Sequence, residues 1–319
     1  MILTTKRLRL RLNQGDASEA RVYYLPHLVA QSRGFFDEAG LDVVFTSATS
    51  GGTTIRGGQI PMLMSGDADL AVGGPMVTMR MAAEGSGRLV SLCAAVSASP
   101  WYLVGATEEI DFDWQHLRGK RVVDLGNIGT ASMSFDWLLK RHGLANLVEI
   151  QPGSGDLEAD LHMIRGDRAL VGFHSLHHLA PAVQAGGLQL LADFARALGP
   201  VPWSSYIARP DRIAELRPAF TAFVRATGRA LRWIASEQTA VVTELVRPYF
   251  PDYPPEALRL AIDRFRSTGI WPESVVIPRA SYRTFHTMLM DQQWLPHVVP
   301  YEDQVDSTFT DRAIEEPTS

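Results

Sequence analysis

A glycine-rich turn near the middle of the chain has the residue types that bind an anion. The segment GNIGTAS, residues 126–132, places Gly129, Thr130 and Ser132 where a predicted strand gives way to a predicted helix. Backbone N–H groups in the first turn of a helix are unpaired and favour negative charge, and the hydroxyls add donors. We therefore predict an anion site here, although a plain helix N-cap would also explain Thr130 or Ser132.

A second segment, residues 50–59, combines glycines, hydroxyls and an arginine. Glycine lets backbone N–H groups approach a ligand, and a guanidinium can hold an oxyanion through two parallel hydrogen bonds. A solvated loop with a surface arginine explains the same pattern equally well, because no fixed phosphate-binding motif is present. The candidate ligand residues of this segment are Ser50, Gly51, Gly52 and Arg56.

Aromatic and histidine side chains supply the remaining candidates for ligand contact. Tyr23, Tyr24 and His27 stand at the start of the first predicted helix, where rings could clamp a flat or anionic organic molecule. Trp203 precedes a predicted strand and could wall the same pocket, and packing in the core is the alternative for each of these rings. Gly73 and Gly74 end a strand ahead of Pro75, a turn that could serve either ligand or fold.

Three histidines in the segment FHSLHH, residues 173–178, invite a metal-site interpretation. His174, His177 and His178 have a spacing that could bring imidazoles together on one face of a helix. No nearby acidic residue completes a ligand set, so we expect no metal. His174 follows an apolar strand and is the one of the three expected to face a ligand.

The spacing of apolar residues predicts alternating strands and helices. Short apolar strands such as residues 69–74 and 89–96 are separated by helical segments, a rhythm typical of mainly parallel sheets flanked by helices. A second unit of the same kind begins near residue 121, and the chain becomes almost wholly helical after about residue 210. The predicted fold class is α/β, with two lobes joined by two strands near residues 101–106 and 201–207. The expected domains are residues 1–104 with 204–319, and residues 105–203.

Composition excludes several function classes. The chain has 319 residues, a formal net charge of −5 and one cysteine, Cys93. The acidic balance predicts no nucleic-acid partner, and the single cysteine excludes an internal disulfide. No apolar run is long enough for a membrane span, so we expect no membrane insertion.

The compartment is left open by the amino terminus. The first residues contain charge but no secretory h-region, which favours the cytoplasm for the sequence as it stands. A periplasmic or cell-surface location would follow if a leader had been trimmed.

Four stretches of the sequence resemble the type II periplasmic binding proteins of nitrate, sulfonate and taurine transport, together with their thiamine-pyrimidine relatives. They cover residues 20 to 240 in the family's order and read YYLPHLVAQSRGFFDEAGLDV, GGQIPMLMSGDADLAVGG, LRGKRVVDLGNIGTASMSFDWLLKRHGL and VPWSSYIARPD. The resemblance implies two α/β lobes on a two-strand hinge that close around a ligand, and use of the 126–132 turn to hold the ligand's acidic head.

The resulting hypothesis is a solute-binding protein of ABC-transporter type. It would bind a small organic anion, such as a sulfonate, a carboxylate or a pyrimidine-like molecule, without a cofactor. It would act as a monomer that can dock on an ABC permease.

An enzyme on the same fold is the alternative. A desulfinase-like reaction needs a nucleophilic cysteine after the first strand, where this chain has Val22, Tyr23 and Tyr24. A pyrimidine-synthase-like reaction needs a lysine for pyridoxal phosphate, and no lysine follows a predicted strand. A cofactor-independent lyase using His27, His174 and Arg56 remains open at this point.

Overall fold

The computed structural model describes residues 7–16, 22–48, 59–106 and 111–315 of the chain. They divide into two compact units. Unit 1 comprises residues 1–97, 201–251 and 271–319, and unit 2 comprises residues 98–200 and 252–270.

Both units follow the alternating rhythm that the sequence predicts. The first elements of unit 1 are β1 (Leu8–Asp16), α1 (Leu25–Ser32), α2 (Phe35–Glu38), β2 (Leu41–Ala48), α3 (Gln59–Ser65), β3 (Leu70–Gly73), α4 (Pro75–Ala83) and β4 (Val90–Val96). The elements of unit 2 that follow are β5 (Trp101–Ala106), β6 (Arg121–Asp124), α5 (Gly129–Arg141), β7 (Glu149–Pro152), α6 (Leu157–Gly166), β8 (Leu170–Ser175), α7 (Leu176–Gln184), β9 (Leu188–Asp193) and α8 (Phe194–Leu198).

The last third of the chain is almost entirely helical, as expected. Its elements are β10 (Ser204–Ala208), α9 (Pro210–Ser236), α10 (Thr239–Val246), α11 (Pro255–Ser267), α12 (Arg279–Asp291), α13 (Tyr301–Gln304) and α14 (Thr308–Glu315). All of these lie in unit 1 except α11, which belongs to unit 2.

The two sheets have matching strand orders. The sheet of unit 1 runs β2-β1-β3-β10-β4 and that of unit 2 runs β7-β6-β8-β5-β9. Three strands at one end of each sheet are parallel, as predicted. The fourth strand of each sheet, β10 or β5, runs antiparallel to both of its neighbours, so each sheet is mixed.

The units differ from the predicted domain boundaries at two places. β5 pairs with β8 and β9, so residues 101–104 lie in the sheet of unit 2 rather than in the first lobe. Residues 252–270 also belong to unit 2, where the Tyr253 ring stacks on His177 with centroids 5.0 Å apart. The sequence pattern gave no sign of this second excursion because α11 looks like its helical neighbours.

Each unit has its own core of apolar side chains. In unit 1, the rings of Phe36 and Phe223 stack at 5.3 Å under the sheet, and both are buried. In unit 2, Phe135 stacks on Phe194 at 5.7 Å and lies 4.8 Å from Phe173, again with all three rings buried. Burial of large aromatic rings contributes most of the stabilisation of such cores.

Candidate functional site

Each sheet contains a point at which the chain reverses the direction in which it adds strands. In unit 1, β2 lies on one side of β1 and β3 on the other, and in unit 2, β7 and β8 flank β6 in the same way. Ligands of open α/β sheets bind outside the carboxyl ends of the strands at such a switch point. The expected ligand positions are therefore the carboxyl ends of β1 and β3 in unit 1, and those of β6 and β8 in unit 2.

A buried histidine organises the switch point of unit 1. His27 is fully buried on α1, its Nδ1 lies 3.1 Å from the Tyr206 hydroxyl, and its Nε2 lies 3.0 Å from the Gln14 carbonyl oxygen Oε1. Burial lowers the pKa of His27 to about 3, so the imidazole is neutral at physiological pH. This placement makes His27 a support for its neighbours and denies it the charge that would attract an anion.

The two tyrosines before α1 are also mostly enclosed. Tyr23 and Tyr24 are 7% and 5% exposed, and their rings meet edge to face at 4.6 Å. The Tyr24 hydroxyl lies 3.2 Å from Ser204 Oγ, and the backbone oxygen of Tyr23 accepts a hydrogen bond from the Trp271 indole. Both tyrosines thus hold the start of α1 against the sheet.

The end of β3 is a close approach of two backbones. Gly73 ends the strand, and Gly74 precedes Pro75 at the first position of α4. A Cβ atom on Gly74 would lie 3.4 Å from the backbone oxygen of Trp203, so glycine fits a tight contact here. Trp203 itself is 7% exposed, which is consistent with a core position.

The second predicted segment, with Arg56, has no described structure to compare with its prediction. Ser50, Gly51, Gly52 and Arg56 lie outside the described residues. Their assignment as ligand residues stays a prediction.

The β6–α5 turn of unit 2 is organised by a carboxylate that our sequence interpretation did not include. Asp124, the last residue of β6, accepts hydrogen bonds from the Ser132 hydroxyl and from the backbone N–H of Asn127 at 2.9 Å. The N–H of Gly126 contributes a third bond. Ser132, predicted as a donor to the ligand, thus directs its hydroxyl at a neighbour within the protein.

The electrostatics of this turn follow from burial. Asp124 is 6% exposed, and desolvation raises its pKa although the three hydrogen bonds act in the opposite direction. Gly129 is exposed at the first position of α5, and no other atom lies within 4 Å of the place where its Cβ would stand. Thr130 is partly exposed in the same first turn. Gly129 is therefore an exposed residue at the amino terminus of a 13-residue helix, where the first N–H groups have no partner within the helix.

His174 lies at the end of β8, beside this turn. Its ring stacks between Trp101, at 5.1 Å, and His178, at 4.0 Å. A Cβ atom on Gly126 would stand 3.0 Å from both the His174 ring and the Trp101 ring, so the turn rests directly on this stack. The structure thus places the predicted residue His174 against Gly126, at the start of the turn that leads to Gly129, Thr130 and Ser132.

The histidine cluster is built by ring packing. The backbone N–H of Ser175 donates to His174 Nδ1 at 2.8 Å, and the Ser175 hydroxyl lies 2.9 Å from His178 Nδ1. His177 stacks on Tyr253, whose hydroxyl donates to the His177 backbone oxygen. Within the part of the chain that the structure describes, no three metal-binding side chains converge.

Cys93 occupies a position unsuited to nucleophilic chemistry. It lies in β4, is fully buried, and burial strongly raises the pKa of its thiol. A thiolate is the reactive form, so this cysteine is inert.

Sequence reasoning missed three residues that the geometry makes central, namely Gln14, Trp101 and Asp124. Each stands in a strand of its sheet, Gln14 and Asp124 near the carboxyl ends of β1 and β6, and Trp101 at the start of β5. The position of Asp124 at the end of the pattern RVVD was a usable signal, because residues that end parallel strands point to the ligand side. For Gln14 and Trp101, the signal lies only in the strand pairing.

The two sheets, their strand order and their helical layers define the periplasmic-binding-protein fold. The model of the NMT1/THI5-like family matches residues 21–240, and the chain belongs to that family. The predicted resemblance is thereby confirmed.

Similar proteins include both binders and an enzyme. The chain is 22% identical over 302 residues to YtlA of Bacillus subtilis strain 168, named as a candidate binding protein, with 92% of this chain and 87% of that one aligned. The structure matches the periplasmic aliphatic sulphonate binding protein SsuA of Escherichia coli with a TM-score of 0.68, at 14% identity and over 93% and 92% of the two chains. It also matches the desulfurization enzyme DSZB with a TM-score of 0.64, at 14% identity and over 97% and 99% of the chains.

Of the helices in the described ranges, none combines the length and the apolar character that a bilayer crossing needs.

Proposed function

We propose that this protein is a solute-binding protein of ABC-transporter type whose ligand is a small organic anion, with sulfonates as the first class to test. The observation that carries the proposal is the β6–α5 turn, which rests through Gly126 on a stacked tryptophan and histidine and leads into the exposed first residue of α5. YtlA and SsuA, both similar over almost the whole chain, are named for binding and support it.

The chemistry of binding would use dipoles rather than a full positive charge. N–H groups at the start of α5 donate to the oxygens of the acidic group, and the helix dipole favours its negative charge. Asp124 does not supply a donor, but its three hydrogen bonds fix the path of the turn and hold Gly126 against His174.

Catalysis is less well served by the same residues. His27 is neutral and enclosed, and Cys93 is buried with its thiol protonated. A desulfinase-like reaction would need a reactive cysteine at the ligand, and a lyase would need His27 to take up a proton. Of the histidines named for a lyase, His174 alone remains beside the turn. Periplasmic location and docking on a permease belong to this proposal as its biological setting.

The test is a thermal-shift and calorimetric titration of the intact protein with ethanesulfonate, propionate and a 4-aminopyrimidine. A ligand present at about 100 times its Kd stabilises the folded state by about 2.7 kcal/mol, which raises the melting temperature. We expect ethanesulfonate to stabilise the protein and to be recovered unchanged by mass spectrometry. Failure of every probe to bind, or consumption of a bound probe, would refute the proposal.

A matched pair of variants at Gly129 locates the anion. Gly129→Pro removes one N–H from the first helical position, which proline tolerates, and the preceding Ile128 already has the extended backbone that proline favours. Gly129→Ala adds a Cβ atom into open space and keeps the N–H. Loss of a charge-assisted hydrogen bond should weaken ethanesulfonate binding about tenfold in the proline variant only. Equal affinities in both variants would place the anion elsewhere.

A further inference from the structure

Three polar side chains of unit 1 form a hydrogen-bonded chain that runs from the core to the switch point. The Tyr206 hydroxyl lies 3.1 Å from His27 Nδ1, and His27 Nε2 lies 3.0 Å from Gln14 Oε1. Tyr206 and His27 are fully buried, whereas Gln14, near the carboxyl end of β1, is partly exposed. The proposed function assigns no role to these three hydrogen-bonded side chains.

The direction of the hydrogen bonds follows from which groups can donate. A carbonyl oxygen only accepts, so His27 Nε2 carries the proton that is donated to Gln14 Oε1. The neutral imidazole then has no proton on Nδ1, which must accept from the Tyr206 hydroxyl. The backbone N–H of His27 lies in the first turn of α1 and so has no partner within the helix. It donates to the same hydroxyl oxygen. Each group thus has one assigned role.

The hydrogen-bonded chain ends in the side-chain amide of Gln14, whose orientation is fixed. Rotating the Gln14 amide by half a turn would place its NH2 group against the Nε2–H of His27, unless the imidazole moved its proton to Nδ1. That proton would then face the Tyr206 hydroxyl, whose own proton has no other acceptor among the described residues, so either arrangement loses a buried hydrogen bond. With the oxygen held inward, the NH2 group remains on the other side. No residue in the described ranges accepts a hydrogen bond from it.

We infer that Gln14 is a ligand-binding residue that acts only as a hydrogen-bond donor, with His27 and Tyr206 as positioning residues that fix its orientation. The inference rests on the proposed function and specifies the ligand further. The ligand group at the end of β1 carries acceptor oxygens, as in a sulfonate, a carboxylate or a carbonyl, and not an N–H donor. A glutamine amide that could rotate would bind either a donor or an acceptor group. The specificity therefore comes from His27 and Tyr206, which hold the amide in one orientation.

The orientation is tested without any ligand. Nitrogen-15 NMR of the imidazole should show His27 neutral, protonated on Nε2 and bare on Nδ1, from mildly acidic to mildly basic pH. Tyr206→Phe removes the donor to Nδ1, and a mixture of tautomers should then appear. A proton on Nδ1 of the wild-type protein would mean that the amide is flipped, and it would overturn the inference.

The accessibility of the amide is a second ligand-free test. Asn13 is buried and its amide nitrogen contacts the Met62 sulfur, so its side-chain protons should exchange slowly with water. The NH2 protons of Gln14 should exchange faster, because the inference requires them to face the ligand. Equally slow exchange at both residues would overturn it, whatever the protein binds.

Binding is tested with ethanesulfonate and an isosteric change. Gln14→Glu keeps an oxygen for His27 and replaces the NH2 group with a second, negatively charged oxygen. The matched control is Gln238→Glu, the same change at an exposed residue of unit 1. We expect the Kd for ethanesulfonate to rise about tenfold or more for Gln14→Glu and to stay unchanged for the control.

The outcomes separate this inference from the proposed function. If the wild-type protein binds ethanesulfonate and the two glutamate variants bind equally well, the role of Gln14 is refuted while the proposed function stands. If the wild-type protein binds none of the probes, the proposed function fails, and tautomer and exchange data still decide whether Gln14 presents an oriented donor.

Discussion

The two units share a strand order, and each has a buried carboxylate at the end of a strand, but at opposite ends of the sheet. In unit 1, Asp69 precedes the amino end of β3 and is held by Arg11 through its backbone N–H at 2.9 Å and its guanidinium at 2.8 Å. In unit 2, Asp124 ends β6, on the side where ligands bind, and its partners are a hydroxyl and backbone N–H groups. One of these two carboxylates therefore lies at the amino end of its sheet and the other at the carboxyl end.

The difference in partners has opposite electrostatic consequences. Burial alone would raise the pKa of both carboxyls. At Asp69 the hydrogen bonds and charge of Arg11 outweigh burial and lower the pKa, whereas at Asp124 burial outweighs the uncharged donors and raises it. Asp69 therefore stabilises the fold in its ionised form, while the ionised form of Asp124 is tolerated at a cost in free energy.

The largest expected effect is at Asp69. Asp69→Asn breaks a partly buried ion pair and should lower the free energy of unfolding near neutral pH by about 2 to 3 kcal/mol, less than for a fully buried pair because Arg11 is half exposed. The folded-state pKa of Asp69 lies below its ordinary value of 3.8, so the advantage of the wild-type protein is complete above 3.8 and is lost as the pH falls from there through the folded-state pKa.

Urea unfolding at neutral and at acidic pH measures this effect. Asp67→Asn is the control, since Asp67 is exposed two residues away and accepts a bond from Ser65. If the difference in unfolding free energy between the wild-type protein and Asp69→Asn did not change with pH, the ionised form of Asp69 would not be what stabilises the fold.

The contrast between the two carboxylates also shows what the sequence could and could not predict. Apolar periodicity predicted most elements and both α/β units, because buried parallel strands read as short apolar runs. It also placed the glycine-rich turn of residues 126–132 between β6 and α5. The role of Asp124 was invisible, since a carboxylate near a predicted anion site becomes intelligible only once Ser132 and Asn127 are seen to donate to it.

Unit 1 illustrates a second limit of the sequence. His27 and the two tyrosines lie together at the start of α1, but periodicity does not tell a side chain that faces a ligand from one that faces the core. That distinction depends on β10, almost 180 residues away, which supplies Tyr206 to His27 and Ser204 to Tyr24. Contacts between residues so distant in the chain leave no mark in local spacing.

The next effect probes the packing of the second switch point. Gly126→Ala would put a methyl group 3.0 Å from the rings of His174 and Trp101, so these rings must move, at a cost of about 1 to 2 kcal/mol. Gly129→Ala, three residues on, meets open space and should change stability by less than about 0.5 kcal/mol. Urea unfolding of both variants at neutral pH measures the difference. Equal stabilities would show that the turn does not rest on the aromatic stack.

Ser132 distinguishes a ligand donor from a structural one. Ser132→Ala removes the hydroxyl that Asp124 accepts, so it should cost about 1 kcal/mol of stability and raise the pKa of Asp124 further. The control, Ser134→Ala, removes a hydroxyl that only bonds the Thr130 backbone oxygen within α5. Chemical denaturation and titration of the Asp124 carboxyl by carbon-13 NMR provide the measurements. Weaker ethanesulfonate binding with no change in stability or in the Asp124 pKa would restore Ser132 as a direct ligand residue.

The smallest net effect is expected at Asp124 itself, and its sign decides the comparison. Asp124→Asn keeps an oxygen for the Asn127 N–H and removes a charge that burial disfavours, so the two effects should cancel to within about 1 kcal/mol at neutral pH. The raised pKa means that the folded wild-type protein holds its proton to higher pH than the unfolded chain does. The stability of the wild-type protein relative to the variant should therefore fall as the pH rises from about 4 through the folded-state pKa, opposite to Asp69. Unfolding free energies of both proteins across this range provide the measurement. If the wild-type protein instead gains on the variant with rising pH, the uncharged donors stabilise the ionised form of Asp124, as Arg11 does for Asp69, and the two carboxylates are electrostatically alike.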